Sequence, residues 1–128
     1  MSEAATSADA GELNHDRVWD DYSSIDVGIR FAVRVLHAHG IETGQSCQGG
    51  DGHSYPEPTV DLWSDCKTTG FAAVHALMGY GLPVMSFARN WDILDGEVTG
   101  PFWRITFRRT MEDRADDELM FVWGWRRA

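Results

Sequence analysis

A chain of 128 residues that is 43% hydrophobic and 12% aromatic, with six tryptophans, has enough apolar surface for one folded domain, which excludes a wholly disordered chain. Its net charge of −9 works against direct nucleic-acid binding, which rests on neutralising phosphates, and no apolar run approaches the ~18 residues of a membrane helix. The charge is uneven: eleven acids face three arginines from Met1 to Ser64, whereas nine acids face eight basic residues from Asp65 to Ala128.

Met1 to His15 is rich in Ser, Ala, Gly and acids and has no apolar period, so residues 1–15 read as a disordered acidic tail. It lacks the basic start and apolar stretch of a secretory signal, and a cytoplasmic protein is expected. Residues 16–128 then form one globular domain. Val18 to Tyr22, with Trp19 and Tyr22 around two aspartates, is the first segment expected to dock.

Ser23 and Asp26 resemble a capping box, and Ile25, Ile29, Ala32, Val33 and Leu36 follow the helical period up to Gly40, a C-terminal stop. Ile41 to Cys47 and Thr59 to Ser64 read as strands, Val60 and Leu62 sharing one face of the second and Asp61 and Trp63 the other. A second helix is expected over 69–80, with Phe71, Val74, Leu77 and Met78 as its core face and Pro83 beyond its end. Val84 to Ile93 and Phe102 to Arg109 form a hairpin around the turn signals Asp95-Gly96 and Gly100-Pro101. Met111 to Glu118 is a charged connection, and 119–125 is a strand or a short helix. The order α-β-β-α-β-β makes an α+β fold, one antiparallel sheet with two helices packed on one face. By analogy it is a permuted ferredoxin-like arrangement, which says nothing of activity.

The segment between the first two strands, Gln45 to Thr59, is longer than a hairpin needs and is rich in groups that bind or react. Cys47 closes the first strand, and His53 could curl back to serve it as base; a buried apolar cysteine is the plainer alternative. Gly49, Gly50, Asp51 and Gly52 can direct successive N–H groups at one anion, or merely permit a tight loop. No Gly-Lys-Ser/Thr follows, which excludes a P-loop. His53, Tyr55 and Glu57 alternate and project together if the chain is extended there. Ser46 and Arg104 complete the candidate ligand-binding set. A zinc site drawn from Cys47, Asp51, His53 and Asp61 lacks paired spacing, so neither a metal nor a cofactor is expected. Cys47 and Cys66, 19 apart and without a CxxC pair, are expected to be free thiols.

Ser46-Cys-Gln-Gly-Gly-Asp-Gly-His53, followed by Pro56-Glu-Pro-Thr-Val60, with Gly40-Ile-Glu-Thr, Gly81-Leu-Pro-Val and Gly100-Pro-Phe-Trp, resembles a group of small uncharacterised bacterial and phage-borne proteins. The resemblance covers roughly 19–109 and implies a phage or mobile-element context. The group has no known activity, so no residue role carries over.

Three functions are compatible with these residues. The first is a small binding protein holding an anionic or nucleotide-like ligand at the glycine-rich loop. The second is a hydrolase or transferase with Cys47 as nucleophile and His53 as base. The third is an acidic module, built on Asp16, Asp20, Asp21 and Asp26, that inhibits a nucleic-acid-binding partner. A protein partner or a homodimer fits the sequence; direct nucleic-acid binding and a membrane do not.

Overall fold

The computed structural model describes residues 22, 24–50, 52–53, 55–64 and 66–114, with only the backbone of 112 and 113. Two helices, α1 (Val27–Ala38) and α2 (Lys67–Gly79), pack on a four-stranded antiparallel sheet. Its strands are β1 (Thr43–Cys47), β2 (Thr59–Leu62), β3 (Val84–Leu94) and β4 (Glu97–Phe107), in the spatial order β1-β2-β4-β3, and a 3₁₀ helix (Arg109–Arg114) follows. The architecture is α+β. The tail 1–15, most of the 18–22 segment and the 119–125 segment lie outside the described residues.

Both helices end the same way. In α1, Gly40 takes a φ of 77°, Gly40 N–H donates to the His37 carbonyl and Ile41 N–H to that of Leu36. In α2, Gly81 takes a φ of 76°, and the N–H groups of Gly81 and Leu82 donate to Met78 and Leu77. This is the Schellman pattern, in which a left-handed glycine turns the chain back and satisfies orphan carbonyls. Arg114 adds side-chain donors to the carbonyls of Tyr80 and Gly81.

The core lies between helices and sheet. Ile29, Val33 and Leu36 of α1 meet Val60, Leu62, Ile105 and Phe107, all with 0% exposure. Each such side chain contributes about 1.5–3 kcal/mol relative to leaving it in water. The buried face of α2 keeps Leu77 and the half-buried Val74 of the expected one and otherwise differs. It is made by Gly70, Ala73, Ala76 and Leu77, while Phe71 and Met78 are exposed. The reason is Trp103, which lies against the helix: a Cβ on Gly70 would stand 2.3 Å from its ring. Small residues let the backbone approach, and Phe71 is displaced to the rim, edge-on to Phe87.

The second hairpin is longer than the turn signals imply. Asp95-Gly96 alone forms the turn, both residues with positive φ, and Leu94 pairs with Glu97. Gly100-Pro101 is absorbed within β4, where the pairing with β3 is irregular between Asn90 and Asp92.

Candidate functional site

The loop after β1 has a defined shape, and glycine makes it possible. Gly49, Gly50 and Gly52 have φ values of 82°, 96° and 82°, a region side chains rarely adopt. Gly49 also lies against the returning chain: a Cβ there would come within 2.6 Å of the Glu57 carbonyl carbon and 2.7 Å of the Pro58 nitrogen. Gly50 N–H donates to the Pro56 carbonyl at 3.0 Å, and His53 N–H donates to that of Gly50 at 3.2 Å. Pro58 and Thr59 are buried, so the segment enters β2 firmly seated.

This shape turns His53 back over the end of β1. Asp26, Cys47 and His53 bring one donor atom each to within 4.8 Å of one another. His53 Nδ1 stands 3.4 Å from Asp26 Oδ2, and the Gln48 N–H donates to the same oxygen at 3.3 Å. Cys47 is buried, and its sulfur accepts from the Gly49 N–H at 3.4 Å. The side chains of His53 and Asp26 are 30% and 38% exposed, so the cluster opens to solvent on the imidazole side.

Gln48 fixes the imidazole. Its Oε1 accepts the Gly28 N–H at 2.8 Å, which leaves Nε2 facing His53 Nε2 at 3.4 Å. An amide nitrogen can only donate, so this contact selects the neutral tautomer of His53 that accepts at Nε2 and carries its proton on Nδ1, toward Asp26. A side chain from the loop thus satisfies an N-terminal donor of α1. Asp26, the N-cap residue, makes no side-chain capping bond and serves the loop instead. The helix therefore starts one residue after Asp26, without the expected capping box; Ser23 lies outside the described residues.

A second polar cluster occupies the sheet face away from the helices. Arg104 makes a bidentate pair with Asp61 at 2.8 and 3.0 Å, and Asp61 is buried. The guanidinium also lies 4.9 Å from the Tyr55 ring centre and 5.2 Å from that of Phe102. The hydrogen bonds that Arg104 donates to Asp61 hold its guanidinium proton more firmly than usual. Burial raises the Tyr55 hydroxyl above its ordinary range, and the Arg104 charge partly opposes it. Beside this pair is a cleft of about 360 Å³ with Gln45, Trp63, Asp92 and Phe102 in its walls.

The expected site residues thus divide. Cys47 and His53 come together, with Gly49 bonded to the sulfur. Gly50 spends its N–H on the loop's own closure. Ser46 is paired opposite Val60 in the sheet, and Glu57 is half-buried with its carbonyl accepting the Thr59 hydroxyl. Tyr55 and Arg104 belong to the second cluster, and Asp51 lies outside the described residues. Asp26 and Gln48 are absent from the sequence-based set. Asp26 reads there as a helix cap, and no spacing rule links it to residues 21 and 27 positions away. No family model, no curated protein and no solved structure matches this chain.

Proposed function

We propose that the protein is a thiol-dependent transferase or hydrolase, with Cys47 as nucleophile, His53 as base and Asp26 as the group that orients the imidazole. The observation that carries this reading is the convergence of those three donor atoms within 4.8 Å. A nucleophile, a base and a third group holding the base are the parts that covalent catalysis requires. The Cys47 proton passes to His53 as the sulfur attacks an acyl carbon. The leaving group departs with that proton, and a thioester remains on Cys47. Water or an acceptor nucleophile then releases the acyl group and regenerates the thiol. The Gly49 N–H donates to the sulfur, and the Asp26 carboxylate faces the imidazole that takes up the proton. The Gln48 amide holds the ring until the sulfur approaches it.

An anionic ligand at the glycine-rich loop has weaker support. The N–H groups of Gly49 and Gly50 have partners inside the loop, Arg104 is committed to Asp61, and the Asp26 carboxylate repels an anion. Asp16, Asp20 and Asp21, on which the acidic-inhibitor reading rests, lie outside the described residues. A phage or mobile-element setting for this enzyme is part of the proposal and rests on the resemblance given above.

The test uses a Cys66→Ser protein, so that Cys47 is the remaining thiol. Activated acyl esters of varied size are added, and the intact mass is followed. The expected result is a single thioester, absent in Cys47→Ala and formed about 100-fold more slowly in His53→Ala. Acylation of Cys47 no faster in the folded than in the urea-unfolded chain overturns the proposal.

A further inference from the structure

The donor set of the loop cluster has a second chemistry. Thiolate sulfur, imidazole nitrogen and carboxylate oxygen are the three protein ligand types of zinc. Ligands bound to zinc at about 2.0–2.3 Å in tetrahedral geometry stand roughly 3.3–3.7 Å apart. His53 Nδ1 and Asp26 Oδ2 are already 3.4 Å apart, and Cys47 Sγ is within 4.8 Å of both ligand groups. The three come from separate places, the start of α1, the end of β1 and the loop, so the framework holds them at three points. Three protein ligands with one side open to water is the arrangement of reactive rather than purely structural zinc sites. The cluster is also anionic once the thiol ionises, with no lysine or arginine among its polar contacts within the described residues. A divalent ion neutralises it.

We propose that Asp26, Cys47 and His53 bind one zinc ion, and that the ion switches the loop between a free-thiol state and a metal-capped state. The metal site stands on the ligand geometry alone; its inhibitory effect rests on the thiol reading above. Binding replaces the thiol proton and takes up the lone pairs of sulfur and imidazole, so metal and acyl donor compete for the same sulfur. When zinc takes Nδ1, the ring proton moves to Nε2. The Gln48 amide must then turn its oxygen toward the ring, which makes Gln48 a positioning residue for the metal.

The test uses the full chain carrying Cys66→Ser. Cobalt(II) is titrated first, because its thiolate charge-transfer band reports sulfur ligation directly. Zinc then displaces it, and calorimetry gives the stoichiometry. One site per chain is expected, with affinity lowered tenfold or more by Asp26→Asn and by His53→Ala, and with no charge-transfer band in Cys47→Ser. Circular dichroism and thermal melts establish that each variant is folded. Because these substitutions also touch the loop, unaltered ligands provide a further measurement: stoichiometric zinc slows alkylation of Cys47 at least tenfold, and a chelator restores the rate. Absence of both the cobalt band and this protection overturns the metal site. So does protection that survives unchanged in folded Asp26→Asn and His53→Ala, since the sulfur would then bind metal unaided. The two readings fail separately. Metal-free protein that forms no thioester yet binds cobalt in this way removes the enzyme and keeps the metal. Protein that acylates but binds no metal does the reverse.

Discussion

The two cysteines occupy opposite kinds of ground. Cys47 is buried at the end of a strand, with a carboxylate and an imidazole at hand. Cys66 is exposed at the N-cap of α2, where its sulfur meets the Thr68 hydroxyl at 3.1 Å. Its pKa is lowered to about 7, first by that hydroxyl and then by the first amide groups of the helix. Access and acidity make Cys66 the reactive thiol, whereas assembled partners make Cys47 the thiol on which the proposed chemistry rests. Reactivity toward a small alkylating reagent and fitness for catalysis are thus separate properties, set by different neighbours.

The sharpest test of that division is His53→Ala. It should slow acylation of Cys47 about 100-fold, the scale of one general base, and leave alkylation of Cys66 unchanged. Equal effects on both thiols, read by mass spectrometry of separate peptides, would dissolve the contrast. Gly49→Ala follows. Its Cβ has only backbone to displace and its φ is positive, so a loss of about 2–3 kcal/mol is expected in urea unfolding. Cys47 in that variant should alkylate faster, because the loop covering it no longer closes. Cys66→Ser should remove at least nine-tenths of the native protein's alkylation at pH 7, since the buried Cys47 offers a bulky alkylating reagent far less of its sulfur than the exposed Cys66 does. The pH profile is finer still. The thiolate is the reacting form, so alkylation of Cys66 should rise with pH through a midpoint of about 7 and level off about one unit above. Thr68→Ala removes the largest cause of the lowered pKa, so the midpoint should move upward and the rate at pH 7 should fall roughly threefold.

Much of the scaffold is legible in the chain because its signals are local. The apolar period of 29–36, the glycines at 40 and 81 and the Asp95-Gly96 turn each act within a few residues. The buried face of α2 is not legible, because it is settled by Trp103, 33 residues beyond Gly70. Judged alone, Phe71 and Met78 are the stronger apolar residues; contact with the sheet selects Gly70 and Ala73 instead. The start of β4 is hidden for a related reason. Gly100-Pro101 reads as a break, yet the pairing with β3 carries the strand through it. In the loop, residue types single out Cys47 and His53, and the spacing lets them meet. Asp26 stays hidden because helix caps and site carboxylates use the same residue, and only the returning loop shows which role it takes.

The exchange between Asp26 and Gln48 has a practical result. The Gly28 amide hydrogen rests on an oxygen that belongs to the loop. Any guest that rotates the Gln48 carboxamide unlatches the opening turn of the helix. Slow deuterium uptake at that one amide would signal an idle loop, and quickened uptake an engaged one. The molecule thus carries its own occupancy gauge, readable without knowing what the guest is.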